Sequence, residues 1–251
     1  MNWAAFLVVC PLVGLAGFVD AVGGGGGLIS LPAYLIAGIP MHSAIATNKL
    51  SSVCGTSLAT FRFWRSGLIN AKLALPSVAA AVLGSAAGAR ISLATDAKIM
   101  EYALIGVLPV TALIVMNKSL FGGGGERAAV LNRRTYTTAC LSAFFIGIYD
   151  GIYGPGTGTF LIIALTVFAK MGVSAANAQA KAINLATNAA SLAVFFLSGE
   201  VLVSLGAAAA VCNMIGGYFG AGLVMKKGAK IVRPIILAVL ALLALKLAGA
   251  Y

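Results

Sequence analysis

Apolar stretches long enough to cross a bilayer follow one another along almost the whole chain, and that succession limits the fold more than any other feature. About 20 apolar residues at 1.5 Å each cover roughly 30 Å of hydrocarbon. Charged and glycine-rich breaks divide the chain into apolar elements near residues 3–22, 27–38, 43–62, 70–90, 99–117, 135–152, 157–170, 175–197, 201–225 and 231–249. Lipid offers the backbone no hydrogen-bond partner, so a spanning segment is a helix or part of a closed barrel. Barrel strands alternate apolar and polar residues, and no such alternation is present. With 61% hydrophobic and 9% charged residues, nothing remains for a soluble domain. The expectation is an all-α polytopic membrane protein.

Met1 to Leu15 carries no Lys or Arg and no small-residue cleavage pattern, so it reads as the first membrane element and not as a signal peptide. Cys10, Cys54, Cys140 and Cys212 stand singly in apolar segments with no metal-like spacing, and they read as small packing residues. No cofactor or metal is expected.

The sequence repeats itself. A shift of 130 places Gly17 on Gly147, Asp20 on Asp150, Gly24 on Gly154 and Gly26 on Gly156. A shift of 132 places Lys49 on Lys181, Phe63 on Phe195, Gly67 on Gly199, Gly84 on Gly216, Gly88 on Gly220 and Lys98 on Lys230. Residues 1–116 and 135–251 thus form two repeats, joined by a polar linker at 117–134 that holds the run Gly122 to Gly125. Each repeat is expected to be a Gly-broken helix or helical hairpin followed by three transmembrane helices.

Charge sets the expected orientation. If each Gly-rich break turns a hairpin or joins two short helices, loops 62–72, 117–134 and 225–233 share one side with Lys170. That side then holds twelve basic residues, against Arg90, Lys98 and Lys246 on the other. The positive-inside rule assigns the basic side to the cytoplasm, so the repeats are expected to be inverted, with both termini outside. The net charge of +11 is largely this loop bias and does not call for nucleic acid. Inverted repeats with broken helices are a recurring plan of secondary transporters, because exchanging the conformations of two similar halves gives alternating access.

Two pairs of segments could carry function. One is Gly23 to Gly27 with its counterpart Gly154, Pro155, Gly156, Thr157 and Gly158. Backbone so rich in glycine unwinds, and inside a membrane it persists only where protein or a watery cavity receives it. The helices that resume beyond the breaks aim the positive ends of their dipoles into that space, which favours an anion. The spacing of Gly84, Gly88, Gly216 and Gly220 suits close helix packing instead. The other pair is the element after each break. Lys181, Asn184, Asn188 and Ser191 lie within about 80° on one helix face, and Lys49, Ser52 and Thr56 trace the same stripe, with Asn48 beside it. A lysine two turns inside a span is costly unless it faces a cavity, reaches the interface or has a partner. Asp20 and Asp150, the only repeat-matched acids, could pair with the lysines, carry a coupling proton or cap a broken helix. His42 reads as an interfacial residue.

The run Gly17 to Pro32 (GFVDAVGGGGGLISLP), the run Ala46 to Lys49 (ATNK) and the segment Gly147 to Gly158 together resemble the TauE/SafE, or TSUP, family of sulfite and sulfonate exporters. The likeness covers nearly the whole chain, and its motifs consist mostly of small residues. It implies export of sulfite or a small organosulfonate across a bacterial inner membrane. The second half departs from a plain Gly run at Pro155 and Thr157, so the two breaks are expected to contribute unequally.

The expected function is alternating-access transport of a small sulfur oxyanion across the cell inner membrane, with export the direction and an anion channel of the same lining as the rival. The expected contacts are Gly24, Gly25, Gly26, Asn48, Lys49, Ser52, Thr56, Gly154, Gly156, Thr157, Lys181, Asn184 and Asn188. Asp20 and Asp150 are left as coupling or structural groups. An enzyme is disfavoured, because a single histidine and the absence of any paired-acid or Ser/His motif leave little for acid–base chemistry. The partners are a small anion and the bilayer; further copies of the chain are an open option.

Overall fold

A computed structural model describes residues 3–116 and 131–227. Most of the linker, the last apolar element near 231–249, and Lys118, Arg127, Lys230, Arg233 and Lys246 lie outside the described residues.

The described residues are helical throughout, with no strand among them. The helices are α1 (Trp3–Gly23), α2 (Gly27–Ile36), α3 (Met41–Arg65), α4 (Ala71–Ala94), α5 (Ala97–Met116), α6 (Arg133–Ile152), α7 (Thr157–Val167), α8 (Val173–Leu197) and α9 (Val203–Lys227). Four are long and apolar enough to cross a membrane by length and composition: α1, α4, α8 and α9. Helix α3 is just as long but has a much lower mean hydropathy, because the polar residues between Thr47 and Ser57 occupy its middle. Both glycine-rich breaks are true interruptions, and the helices after them, α2 with 10 residues and α7 with 11, are too short to cross about 30 Å.

The break geometry explains its glycines. Gly24 and Gly154, matched by the repeat, take φ of 78° and 96°, a region costly for a residue with a Cβ. At Gly24 the chain also passes directly against Gly158, with no room for a methyl group between the two backbones.

Helix packing is reciprocal between the earlier and later elements. Helix α1 runs beside α9 in the same direction, Gly216 against Gly14 and Gly220 against Phe18. Helix α4 runs beside α6 in the same way, Gly84 against Phe144 and Gly88 against Ile148. Each of these four glycines meets the carbonyl of the residue named with it, as packing by small residues requires. Helix α3 parallels α9, from Thr47 near Leu202 to Arg62 stacked over Tyr218, 3.9 Å from the ring centroid. Helix α8 parallels α4, from Gln179 near Asn70 to Thr187 bonded by Ser85.

Two helix starts are bound in matching fashion. Gln179 Oε1 accepts from the Asn70 N–H at 3.2 Å, and Thr47 Oγ1 accepts from the Leu202 N–H at 3.0 Å. These positions are related by the same shift of 132. Each bond satisfies a backbone donor that begins a helix and lacks an intrahelical acceptor.

His42 bonds the carbonyls of Ser92 and Thr95 at the end of α4, at 3.0 and 3.1 Å, and so ties one helix end to another. Replacing Gly88 or Gly220 with Ala forces a methyl group onto a facing carbonyl. The expected cost is about 1–3 kcal/mol for overpacking, read as a lower melting temperature of the detergent-solubilised protein.

Candidate functional site

The two breaks meet at the centre of the bundle. Thr159 Oγ1, from α7, donates to the Gly23 carbonyl at 2.7 Å, and Asn177 Nδ2, from α8, donates to the carbonyls of Ala21 and Val22 at 3.2 and 3.1 Å. The carbonyls freed where α1 stops are therefore satisfied by the later half of the chain. At the other break Lys49 Nζ donates to the Asp150 carbonyl at 2.6 Å, and Tyr149 Oη donates to the Pro155 carbonyl at 2.6 Å.

Both lysines find the aspartate of the opposite repeat. Lys49 on α3 pairs with Asp150 on α6 at 2.8 Å, and Lys181 on α8 pairs with Asp20 on α1 at 2.6 Å. Both lysine side chains are fully buried, so neither reaches toward an interface. Of the three roles open to the aspartates from the sequence, pairing with the lysines is the one the geometry displays. A buried cation with a hydrogen-bonded anion avoids most of the penalty of an isolated charge.

The two pairs are not equivalent. Asp150 is 2% exposed and its Oδ1 also accepts from Thr157 Oγ1 at 2.8 Å, which bridges the second break. Asp20 is 19% exposed, and its carboxylate makes a single hydrogen bond among the described residues, from Lys181.

Around these groups lies a small polar hollow. It sits at the mid-length of the long helices, where Ser52, Asn184 and Asn213 fall near the centres of α3, α8 and α9. Its centre is narrow and admits about one water-sized body. Of the residues expected from the sequence, Gly24, Gly26, Asn48, Lys49, Ser52, Thr56, Gly154, Thr157, Asn184 and Asn188 line it, together with Asp20 and Asp150. Gly25, Gly156 and Lys181 do not. Gly25 is turned toward Val19 and Leu28, and Lys181 stands behind Asp20.

The sequence reading missed Ala16, Ser30 and Asn213, whereas Gly27 and Gly158, which also line the hollow, belong to the candidate segments without having been singled out as contacts. Asn213 is the most consequential. It is buried on α9 with its side chain pressed against Gly17 and Gly55, where neither position has room for a Cβ. A lone asparagine in an apolar 25-residue helix is the signal that could have found it.

Two features suit an oxyanion. The first residues of α2 and α7, Gly27 and Thr157, border the hollow, so both helices present the positive ends of their dipoles to it. Amide and hydroxyl groups from Asn48, Ser52, Thr56, Asn184 and Asn188 surround it. Among the described residues no group of three or more His, Cys, Asp or Glu could hold a metal ion.

The model of the family described as sulfite exporter TauE/SafE matches residues 9–247. The chain belongs to the TauE/SafE family. Similar TauE/SafE-like chains include a probable membrane transporter protein of Sinorhizobium, 34% identical over 243 residues that cover 97% of this chain and 91% of the relative. A probable membrane transporter protein of Escherichia coli, YfcA, is 32% identical over 236 residues, covering 93% and 86%. One of Haemophilus influenzae is 33% identical over 225 residues, covering 88% and 86%. No solved structure matches. This TauE/SafE protein is accordingly a membrane transporter, with its polar hollow enclosed by helices of bilayer-spanning length.

Breaking the tighter pair has a defined cost. Lys49→Met leaves the Asp150 carboxylate buried without its cation, and about 3–5 kcal/mol of stability is expected to be lost. The double variant Lys49→Met/Asp150→Leu is expected to recover part of that loss in the melting temperature, since no charge is then left unpaired.

Proposed function

We propose that the protein is a secondary transporter that moves a small sulfur oxyanion, such as sulfite or an organosulfonate, out of the cell across the inner membrane by alternating access. The observation that carries this reading is the hollow between the two breaks. It is polar, faces two helix N-termini and is lined by matched amide and hydroxyl groups from both repeats. The anion is held there by Asn48, Ser52, Thr56, Asn184 and Asn188, with Thr157, Asn213 and the backbone of Gly24, Gly26 and Gly154. The family description, sulfite exporter, points to the same class of cargo.

Inverted repeats at 1–116 and 135–251, joined by the 117–134 linker, are part of the proposal, and the helix register supports them. Helices α1 and α9 parallel α3, while α6 and α8 parallel α4. Ser43, at the start of α3, donates to Glu200, beyond the end of α8, at 2.6 Å, so α3 and α8 run in opposite directions. Each of these six helices thus opposes its repeat counterpart, α1 against α6, α3 against α8 and α4 against α9. The same register gathers Arg62, Arg65, Lys72, Arg133, Arg134 and Lys226 at one end of the bundle, which is assigned to the cytoplasm. The start of α1 then lies on the outer side.

Alternating access suits the narrow centre, since walls that must part to admit cargo separate a carrier from an open pore. Thr56→Val and Asn188→Leu each remove a lining polar group and spare both ion pairs. In proteoliposomes each is expected to lower sulfite or organosulfonate transport at least about tenfold, the worth of one hydrogen bond to a charged ligand. Tracer uptake should accelerate when unlabelled substrate is loaded on the far side; uptake indifferent to that loading would identify a channel instead.

A further inference from the structure

We infer that Asp20 carries the proton that accompanies the anion: a monoanionic sulfonate enters the hollow as Asp20 is protonated, and Lys181 exchanges its carboxylate partner for the substrate. This inference rests on the oxyanion reading above and adds to it a coupling ion, a stoichiometry and the residue responsible.

Charge is the starting point. Lys49 and Lys181 contribute two positive charges, and Asp20 and Asp150 two negative ones, so the four groups at the hollow sum to zero. A sulfonate added to that set would leave one uncompensated negative charge deep in the protein, where low polarizability makes such a charge costly. One proton taken from water and bound by a carboxylate restores neutrality. The anion then replaces the charge that the proton cancels, and the loaded site again sums to zero.

Geometry selects which carboxylate takes it. Asp150 is enclosed, holds Lys49 and accepts from Thr157, and Lys49 also donates to the Asp150 carbonyl. Releasing it would disturb the second break itself. Asp20 borders the hollow, keeps about a fifth of its surface accessible and has one hydrogen bond to lose. Lys181 is fully buried and bonds only Asp20 among the described residues, so two of its three ammonium donors have no protein acceptor there. Once Asp20 is neutral and turns aside, those donors face an oxyanion in the space the carboxylate vacates.

No other titratable group competes at this position among the described residues. On the helices packed against α1, α8 presents Lys181 itself, and α3 presents Lys49, already held by Asp150. Helix α2 presents Tyr34, which donates to Ser51, and α9 presents Cys212, which lies against Gly14 almost two turns away from Asp20. The polar neighbours from α7 and α9, Thr157, Thr159 and Asn213, do not titrate.

Methanesulfonate and 2-hydroxyethanesulfonate serve as probes, because their sulfonate groups take up no proton near neutral pH. Binding to the purified full chain in lightly buffered detergent, followed with a pH-indicator dye, is expected to take up about one proton per anion. The apparent Kd should correspondingly rise about tenfold per pH unit on the alkaline side. Asp20→Asn should bind the same anions without proton uptake and with a flat pH dependence, and Asp20→Glu should restore both. Binding to the wild type without proton uptake overturns the inference and leaves the oxyanion reading standing, and so does unchanged uptake in Asp20→Asn. If Asp20→Asn does not fold, Asp20→Ser takes its place in the same measurement: loss of proton uptake is expected, and uptake unchanged from the wild type overturns the inference. If neither anion binds the wild type at any pH while it remains folded, the oxyanion reading falls and this inference with it.

Discussion

A helix that stops inside hydrocarbon leaves carbonyl and amide groups that lipid cannot satisfy, and the rest of this structure follows from where those groups find partners. The two breaks supply much of the answer for each other. Thr159 and Asn177 receive the end of α1, Lys49 receives the carbonyl that precedes the second break, and Gly24 and Gly158 give up side chains so that the backbones can touch. Unwound chain is costly in lipid and acceptable here because the opposite repeat stands where solvent otherwise would. The hollow is what remains between two such mutually supported ends.

The ion pairs extend the same logic to charge. Each repeat brings a cation on its third helix and an anion on its first, and each charge is neutralised by the other repeat. The arrangement joins the two sequence repeats at the depth of the hollow. Its asymmetry follows from Pro155 and Thr157, which replace glycines of the first break. Thr157 adds a hydroxyl bond to Asp150 that Asp20 lacks, so one pair is anchored and the carboxylate of the other stays partly accessible.

Much of this was readable in the residues. Helix extents follow from apolar run length, and the repeat shifts of 130 and 132 reappear in space as matched contacts such as Gly84 with Phe144 and Gly216 with Gly14. The stripe from Lys49 to Thr56 faces the hollow because helical periodicity fixes which side chains share a face. What periodicity cannot supply is the partner across space. Asp20 could be seen as a counterpart of Asp150, but no spacing says that it meets Lys181 and not Lys49. Asn213 escaped for a related reason: its counterpart under the repeat is Ala81, so a search for matched polar residues passes over it. Helix contacts made through glycine leave little directional signal, since small residues permit approach from many sides.

The exchange of packing partners bears on how the protein is made. Helix α1 finds its main neighbour in α9, and α4 finds its own in α6 and α8, so the glycine faces of the first repeat have no complement until the second has been synthesised. A nascent chain halted near residue 116 would hold two half-ended helices and two lone charges in the bilayer. Translation therefore delivers the first repeat before the helices it packs against, and the contacts that join the halves form only once the second has been made.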